Sequence, residues 1–161
     1  MGLVKIVVVS DTHGNVKALE QLRQIFIDSD YIVHLGDGAR DMKDFYSEFG
    51  NKIYQVDGNC DVFASSLKEF ILEIGKVKIL LTHGDLFGVK TGRERLINYA
   101  IKKGCNAVFY GHTHNQEISL IDGITVVNPG TLSYFASEKT FAYVVINGEK
   151  IVATINKTTV K

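Results

Sequence analysis

The sequence feature that most constrains the fold is the apolar run over residues 3–9, interrupted only by Lys5, near the start of the chain. A strand that is apolar at consecutive positions, rather than at alternate ones, is buried on both of its faces. A helical pattern follows from about Asn15, and its apolar residues at helical spacing are Ala18, Leu19, Leu22, Ile25 and Phe26. The two patterns together predict the first strand–helix unit of an α/β fold.

Strands and helices alternate through the first half of the chain, and the second half is rich in strands. A turn at Gly75-Lys76 predicts a hairpin, and a capping box at Thr91 and Glu94 predicts a helix that stops before Gly104. The predicted elements are, in order, a strand at 31–35, a helix at 40–49, strands at 52–56, 68–74 and 77–81, a helix at 91–103, and strands at 106–110, 116–121, 124–127, 141–146 and 150–155. This order predicts two packed sheets with helices outside them.

Composition limits the classes of protein and of partner. A chain of 161 residues fits one domain over residues 1–161. The 18 basic and 18 acidic residues cancel, which argues against a nucleic-acid partner, and no apolar run approaches the length that a membrane span needs. Cys60 and Cys105 have no pair spacing, and the N-terminus has no signal-peptide pattern, so we expect a reduced, cytoplasmic setting.

Five short polar motifs interrupt this pattern, and each directly follows a predicted strand. Loops at the carboxyl ends of strands in an α/β sheet are the usual place for ligand sites. Glycines within the motifs allow sharp turns and a close approach of a ligand. The motifs are Asp11-Thr12-His13, Gly36-Asp37, Gly58-Asn59-Cys60-Asp61, His83-Gly84-Asp85 and Gly111-His112-Thr113-His114.

The side chains of these motifs predict a centre for two metal ions. Asp11 and His13 are two residues apart, so both can face one ion if the chain stays extended, and the His112/His114 pair has the same spacing. The Asp37 carboxylate can bridge two ions. Nitrogen and oxygen ligands suit Mn²⁺, Fe²⁺, Co²⁺, Ni²⁺ or Zn²⁺ better than Ca²⁺. The seven candidate ligands are Asp11, His13, Asp37, Asn59, His83, His112 and His114.

Each candidate also has a purely structural interpretation. Asp11 could cap a helix, although Asn15 is nearer to the helix start, and Asp37 or Asn59 could serve only as turn residues. The histidines could be polar residues at strand ends whose ring nitrogens are hydrogen-bonded within the protein. The joint occurrence argues against these alternatives, since four of the five histidines lie in the motifs. His34 and Cys105, in contrast, are expected to be packed core residues.

The ordered motifs resemble those of the calcineurin-like metallophosphoesterase family, and their spacings, with Asn128-Pro129-Gly130, resemble its small prokaryotic phosphodiesterase branch. The resemblance implies a four-layer α-β-β-α sandwich with two mixed β-sheets. It implies one metal on Asp11, His13 and His114, a second on Asn59, His83 and His112, and Asp37 between them, with Mn or Ni favoured. The implied activity is cleavage of a small phosphodiester by in-line attack of a metal-bound hydroxide, with Asp37, Asn59, Cys60 and His83 as catalytic residues.

One position departs from the common family pattern. Many members have a histidine after the asparagine, where it can protonate the leaving group, whereas this chain has Cys60. A thiol with a pKa near 8.5 is a poorer general acid at neutral pH than an imidazole near 6.5. We therefore expect dependence on good leaving groups. Asp61 is a weaker candidate for orienting Cys60.

Two other functions stay open at this point. The family resemblance includes a retromer subunit that acts through its surface, which makes a metal-binding interaction scaffold the main alternative. A nuclease would need a basic surface that binds the phosphates of a nucleic acid, and the balanced charge of the chain argues against one. Substrate choice is expected to depend on the loops at 87–92 and 133–138, and a homo-oligomer is left open.

Overall fold

The computed structural model describes residues 2–62 and 67–158. The first sheet has the strand order β10-β9-β1-β2-β3. Its three strands from the first half of the chain run parallel, and the last two strands of the chain extend it in antiparallel fashion. The strands are β1 (Val4–Val9), β2 (Tyr31–His34), β3 (Ile53–Gln55), β9 (Thr140–Asn147) and β10 (Lys150–Lys157).

The second sheet has the strand order β4-β5-β6-β8-β7. Its three central strands are parallel, and both edge strands are antiparallel to their neighbours. The predicted hairpin at Gly75-Lys76 is confirmed, because Ile74 pairs with Val77 and Gly75 has a φ of 58°. The strands are β4 (Glu69–Ile74), β5 (Val77–Thr82), β6 (Ala107–Phe109), β7 (Glu117–Ile121) and β8 (Ile124–Asn128).

The helices differ from the sequence prediction in two places. The helix predicted from Asn15 is split at Leu22 into α1 (Val16–Gln21) and α2 (Arg23–Asp28), and Asn15 caps the first part by accepting from Ala18 N at 3.1 Å. The region at 40–49 forms a 3₁₀ helix followed by one α-helical turn. These elements are the 3₁₀ helix Ala39–Phe45, α3 (Tyr46–Phe49), a short 3₁₀ turn at Asp85–Phe87 and α4 (Glu94–Lys102).

The predicted capping box of α4 is wrong. The helix begins at Glu94 rather than at Thr91, and its cap residue Arg93 makes no side-chain capping bond. The Thr91 hydroxyl instead donates to Gly88 O at 3.0 Å, where it closes a turn before the helix. Gly104 follows the helix in a left-handed conformation, with a φ of 74°, as predicted.

Three apolar cores separate four layers, which confirms the predicted α-β-β-α sandwich of two mixed sheets. Strand β1 shows how the layers arise. Ile6 and Val8 face the core between the sheets, whereas Val7 and Val9 face α1, α2 and α3, and all four side chains are fully buried. A third core lies between α4 and the outer face of the second sheet. Within the described residues, no helix is long and apolar enough to cross a membrane.

Candidate metal centre

The loops that follow the parallel strands of both sheets meet at one edge of the sandwich. In the first sheet, Asp11 N donates to Gly36 O at 2.9 Å and joins the loop after β1 to the loop after β2. In the second sheet, Gly111 N donates to His83 O at 3.0 Å and joins the loop after β6 to the loop after β5. His112 N connects the sheets, because it donates to Asp11 Oδ2 at 3.1 Å. Four of the five predicted motifs are joined by these bonds, and the fifth joins them because Cys60 N donates to Asp37 Oδ1.

Left-handed backbone conformations concentrate at this edge. Within residues 2–62 and 67–158, six residues other than glycine have a positive φ, and five of them are predicted ligands: Asp11, His13, Asp37, His112 and His114. The expectation that the Asp-x-His and His-x-His pairs converge along an extended chain is therefore wrong, because the chain turns sharply at both. Such backbone conformations cost on the order of 1–3 kcal/mol each and cluster at functional sites. The strain marks this edge as the candidate site.

The first group of side chains that could hold an ion consists of Asp11, His13 and His114. One ligand atom from each lies within 4.8 Å of the others. Asp11 Oδ1 is 3.2 Å from His114 Nε2 and 3.7 Å from His13 Nε2. These three residues come from loops of different sheets, so the group forms only when the two sheets pack together.

The second group consists of Asp37, His83 and His112. Asp37 Oδ2 is 3.2 Å from His83 Nε2, and His83 Nε2 is 3.1 Å from His112 Nδ1. Asp37 also belongs to a third group with His13 and the Cys60 Sγ, and its Oδ2 is 3.8 Å from His13 Nε2. The Asp37 carboxylate therefore lies between the two ends of the cluster.

An unsatisfied carboxylate oxygen provides a test of whether these residues fit a metal. Asp11 is fully buried, and its Oδ2 accepts from Ser10 Oγ at 2.5 Å. Its Oδ1 is also buried but accepts no hydrogen bond from the described part of the chain. The Nε2 atoms of three histidines face this oxygen. Two of them, His13 and His114, belong to the first group, and the Nε2 of His83 lies 3.9 Å away. A buried acceptor without a donor is costly unless a cation satisfies it, so the donor set fits a metal.

The tautomer of His83 directs one nitrogen into the cluster. Its Nδ1 lies 2.8 Å from Leu35 O, and because a carbonyl can only accept, Nδ1 carries the proton. Nε2 of the neutral ring is then free to act as a ligand. A backbone carbonyl that orients a histidine in this way is a common feature of metal sites.

The electrostatics of the cluster favour a cation. Burial alone would raise the pKa of Asp11, but contacts with His114 and His13 outweigh it and hold that pKa well below its usual range. Burial would also raise the pKa of Asp37, but His83 lowers it overall. For His83 itself, burial lowers the pKa and the Asp37 carboxylate raises it more. The cluster therefore presents two ionised carboxylates to its interior at neutral pH.

Two predicted residues occupy more exposed positions. Asn59 and Cys60 lie on the loop after β3, where the Asn59 Nδ2 is 3.6 Å from the Cys60 Sγ. Cys60 N donates to Asp37 Oδ1 at 2.8 Å, which holds the second oxygen of this carboxylate. The role of Asn59 as a ligand stays a prediction.

The residues expected to be structural are confirmed as such. His34 is fully buried beneath the cluster, where its Nδ1 accepts from Gly36 N at 3.0 Å and its Nε2 lies 3.0 Å from Thr12 Oγ1. Burial lowers the pKa of His34, so the ring is neutral. Cys105 is buried in the core beneath α4. Asp11 is not a helix cap, because Asn15 has that role.

Asp61 has a clearer role than the sequence indicated. Its carboxylate accepts from the backbone N–H groups of Asp37, Gly58, Gly38 and Ala39 at 2.7, 2.8, 2.9 and 3.1 Å. Burial would raise its pKa, but these four bonds lower it overall. Asp61 thus joins the loop after β3 to the loop that carries Asp37, rather than orienting Cys60. This role depends on β2 and β3 being neighbours, which spacing alone does not show.

Replacing Asp61 with asparagine is expected to destabilise the protein by about 2–4 kcal/mol, because an amide NH₂ group would face two backbone N–H groups. Urea unfolding of the metal-free protein measures the change. Asp44→Asn, at an exposed position on the 3₁₀ helix, is the matched control and should change the free energy of unfolding by less than about 0.5 kcal/mol. Equal stability of the two variants would contradict this role for Asp61.

The chain is similar in sequence to known phosphoesterases. The family model of the calcineurin-like phosphoesterase superfamily domain matches residues 4–150. The probable metallophosphoesterase YsnB of Bacillus subtilis is 27% identical over 153 residues, which cover 94% of this chain and 89% of that protein. A phosphodiesterase of Methanocaldococcus jannaschii is 30% identical over 146 residues, covering 79% of this chain and 83% of that protein.

Solved structures show the same fold. A predicted phosphoesterase from Streptococcus pneumoniae matches with a TM-score of 0.83 and 28% identity, covering 98% of this chain and 91% of that one. Vps29 of Entamoeba histolytica, solved with Zn²⁺, matches with a TM-score of 0.80 but only 18% identity, covering 96% of this chain and 98% of that one. The second match supports the fold alone.

Proposed function

The chain belongs to the calcineurin-like phosphoesterase superfamily, and from this premise we propose that it is a dinuclear metal-dependent phosphodiesterase. The observation that carries the proposal is the unsatisfied Asp11 Oδ1, which is buried and faced by three histidine nitrogens. A structural role for Asp11 alone would leave this buried oxygen without a hydrogen bond. A bound cation supplies one.

The proposed ligand set follows the grouping of the side chains. Asp11, His13 and His114 would hold the first ion, and Asn59, His83 and His112 would hold the second. Asp37 would be the shared ligand, because its Oδ2 faces both His83 and His13. The four histidines favour Mn, Ni, Co, Fe or Zn over Ca, and among these we favour Mn or Ni.

Two such ions, when bound, neutralise charge on the phosphoryl oxygens and lower the pKa of a water so that hydroxide is available at neutral pH. The protein contributes the placement of the ligands. Cys60 N holds Asp37 Oδ1, and Leu35 O fixes the His83 ring, so neither needs to reorganise during reaction. We propose Asp37, Asn59, Cys60 and His83 as the residues nearest to the chemistry.

The cavity on one side of the cluster supports a diester rather than a monoester. The cavity that opens on His13 and His114 has no lysine or arginine among its described lining residues. A monoester dianion gains more from such cations than a singly charged diester does. The substrate class we propose is therefore a small phosphodiester, and the balanced charge of the chain still argues against a nucleic acid.

Replacing Cys60 with histidine is expected to raise turnover on diesters with poor leaving groups by about tenfold to a hundredfold, since general-acid catalysis contributes at least that much. Burial and the Asp37 carboxylate both raise the pKa of the Cys60 thiol, which makes it a weak acid. The measurement is kcat/KM across aryl diesters of graded leaving-group pKa. Cys60→Ser is the control, and a histidine variant that gains no more than serine would contradict the prediction.

The activity test begins with metal-stripped protein. Bis-p-nitrophenyl phosphate and p-nitrophenyl phosphate are assayed after separate addition of Mn²⁺, Ni²⁺, Co²⁺, Zn²⁺ and Mg²⁺, with His83→Ala as the control. We expect metal-restored turnover that favours the diester and is lost in the variant. Folded, metal-loaded protein without turnover would contradict the proposal.

The second candidate function is a metal-binding interaction scaffold. It is favoured by one observation, the match of the fold to Vps29 structures along nearly the whole of both chains. A scaffold of this kind would bind metal and stay folded but would turn over none of the aryl esters. The activity test therefore separates the two functions.

A further inference from the structure

A cavity of about 680 Å³ opens directly on the first group of metal ligands. His13 and His114 form one end of it, and its walls come from the loop over residues 131–140 and from Asn115 and Gln116. Its volume lies within the range of sites for small organic molecules. A phosphodiester bound at the cluster would extend one of its two ester arms into this space.

Phe135 is a large apolar side chain on the wall of this cavity that is 98% exposed. The loop that presents it is held by a series of hydrogen bonds. Phe135 N donates to Ser133 Oγ at 3.3 Å, Ser133 N to Thr131 Oγ1 at 3.1 Å, and the Thr131 hydroxyl to Asp11 O at 2.7 Å. The backbone at Phe135 is therefore held relative to the proposed ligand Asp11, while both faces of the exposed ring remain open.

Most of the other lining residues have polar side chains, and few of them are charged. Asn115 and Gln116 supply amide donors and acceptors, and Ser133 supplies a hydroxyl. Glu138 brings a carboxylate, which is paired with Lys157 at 2.9 Å and would repel an additional anionic group. A flat, neutral group with hydrogen-bonding edges fits this lining better than a polyphosphate or a sugar acid does.

We propose that this cavity binds a nucleobase carried on one ester arm of the substrate, with the base stacked on Phe135. Stacking between an aromatic side chain and a base is tolerant of base identity and is a recurrent mode of nucleotide binding. The inference rests on the proposed phosphodiesterase function, and it makes the substrate a nucleoside phosphodiester.

The test compares two phosphate monoesters with the same head group on the metal-loaded protein. Isothermal titration calorimetry measures the binding of adenosine 5′-monophosphate and of methyl phosphate. We expect the nucleotide to bind at least about tenfold more tightly, since one base–aromatic stack is worth that much. Phe135→Ser should remove this preference without changing the affinity for methyl phosphate, and Phe135→Trp should restore it.

Tyr134→Ser is the matched control, because Tyr134 is an exposed aromatic residue of the same loop that does not line the cavity. Equal affinities for the two monoesters, or equal effects of the Tyr134 and Phe135 variants, would overturn the inference. The inference would also be overturned if the unmodified protein shows no nucleotide preference and Phe135→Ser changes the oligomeric state. Phe135 would then be a contact between subunits.

Turnover of bis-p-nitrophenyl phosphate in the same preparation distinguishes the subsite from the function on which it rests. Metal-dependent turnover without a nucleotide preference refutes the nucleobase subsite alone. Absence of both turnover and methyl phosphate binding refutes the phosphodiesterase function, and the subsite that rests on it falls as well.

Discussion

Asp37→Ala is expected to lower metal-dependent turnover at least about a thousandfold, beyond the tenfold to hundredfold loss typical of residues that only orient a ligand. Asp37 is shared by two of the three groups that could hold an ion. Its carboxylate faces His83 at 3.2 Å and His13 at 3.8 Å. Removing it should therefore weaken both ends of the cluster together. The measurements are kcat/KM for bis-p-nitrophenyl phosphate and the number of metal ions bound per chain.

Asp85→Ala provides the matched control for this experiment. Asp85 lies two residues after His83, but it belongs to none of the groups that could hold an ion within the described residues. Its removal should change turnover by less than about tenfold. Thermal unfolding of both variants establishes that they are folded. An Asp37→Ala protein that is folded, binds two ions and retains full turnover would contradict the bridging role.

Saturating the stripped protein with Mn²⁺ is expected to stabilise it by about 4 kcal/mol at a thousandfold excess over Kd. For a chain of this size the gain corresponds to a rise in Tm of about 10 °C. The physical reason is that the buried Asp11 Oδ1 has no hydrogen-bond donor and that the backbone is strained at five proposed ligands. A bound cation would compensate for both in the folded state. The unfolded chain has no such arrangement, so binding favours the folded state. Differential scanning calorimetry measures the shift.

Ca²⁺ at the same ionic strength is the control for this stabilisation. It prefers oxygen ligands and gains little from imidazole nitrogen, so it should raise Tm by no more than about 2 °C. Asp11→Ala should remove most of the Mn²⁺ effect, because it deletes the oxygen that faces His13, His83 and His114. Equal shifts with Mn²⁺ and Ca²⁺ would contradict a site built from histidine nitrogens.

Much of the architecture follows from local sequence patterns. The apolar run at 3–9 predicted a strand buried on both faces, and Ile6 to Val9 are fully buried between two layers. The position of polar motifs after strands predicted that distant residues would meet at one edge, and Asp11 and His114 do so at 3.2 Å. These features depend on periodicity and on the common direction of parallel strands, both of which are visible in a sequence.

The local backbone geometry of the site was harder to predict from the sequence. A left-handed turn at an aspartate or a histidine has no strong sequence signal, because neither residue requires that conformation. The extended geometry expected at Asp11/His13 and His112/His114 was therefore wrong. Asp11 and His13 still share one group of possible ligands, whereas His112 and His114 belong to different groups. The bonds of Asp61 to the loop at 37–39 depend on which strands are neighbours, and a single sequence does not give that order.

The exact helix boundaries also could not be predicted, because they depend on backbone conformation and hydrogen bonds that the spacing of residue types does not reveal. The prediction of one helix from Asn15 missed the break at Leu22, where the side chains continue at helical spacing but the backbone does not. The capping box at Thr91 and Glu94 failed because the helix begins at Glu94, and Thr91 lies in the preceding turn, where its hydroxyl donates to Gly88 O. Threonine competes for nearby carbonyls in this way, so a spacing match alone is a weak indicator of a cap.

The most direct test of the dinuclear centre is an anomalous difference map from a crystal of the Mn²⁺-loaded protein. We predict two peaks about 3.5–4 Å apart, as in other two-metal sites, with the Asp37 carboxylate between them. Asp11, His13 and His114 should surround one peak, and Asn59, His83 and His112 should surround the other. A single peak, or two peaks that Asp37 does not contact, would contradict the dinuclear centre.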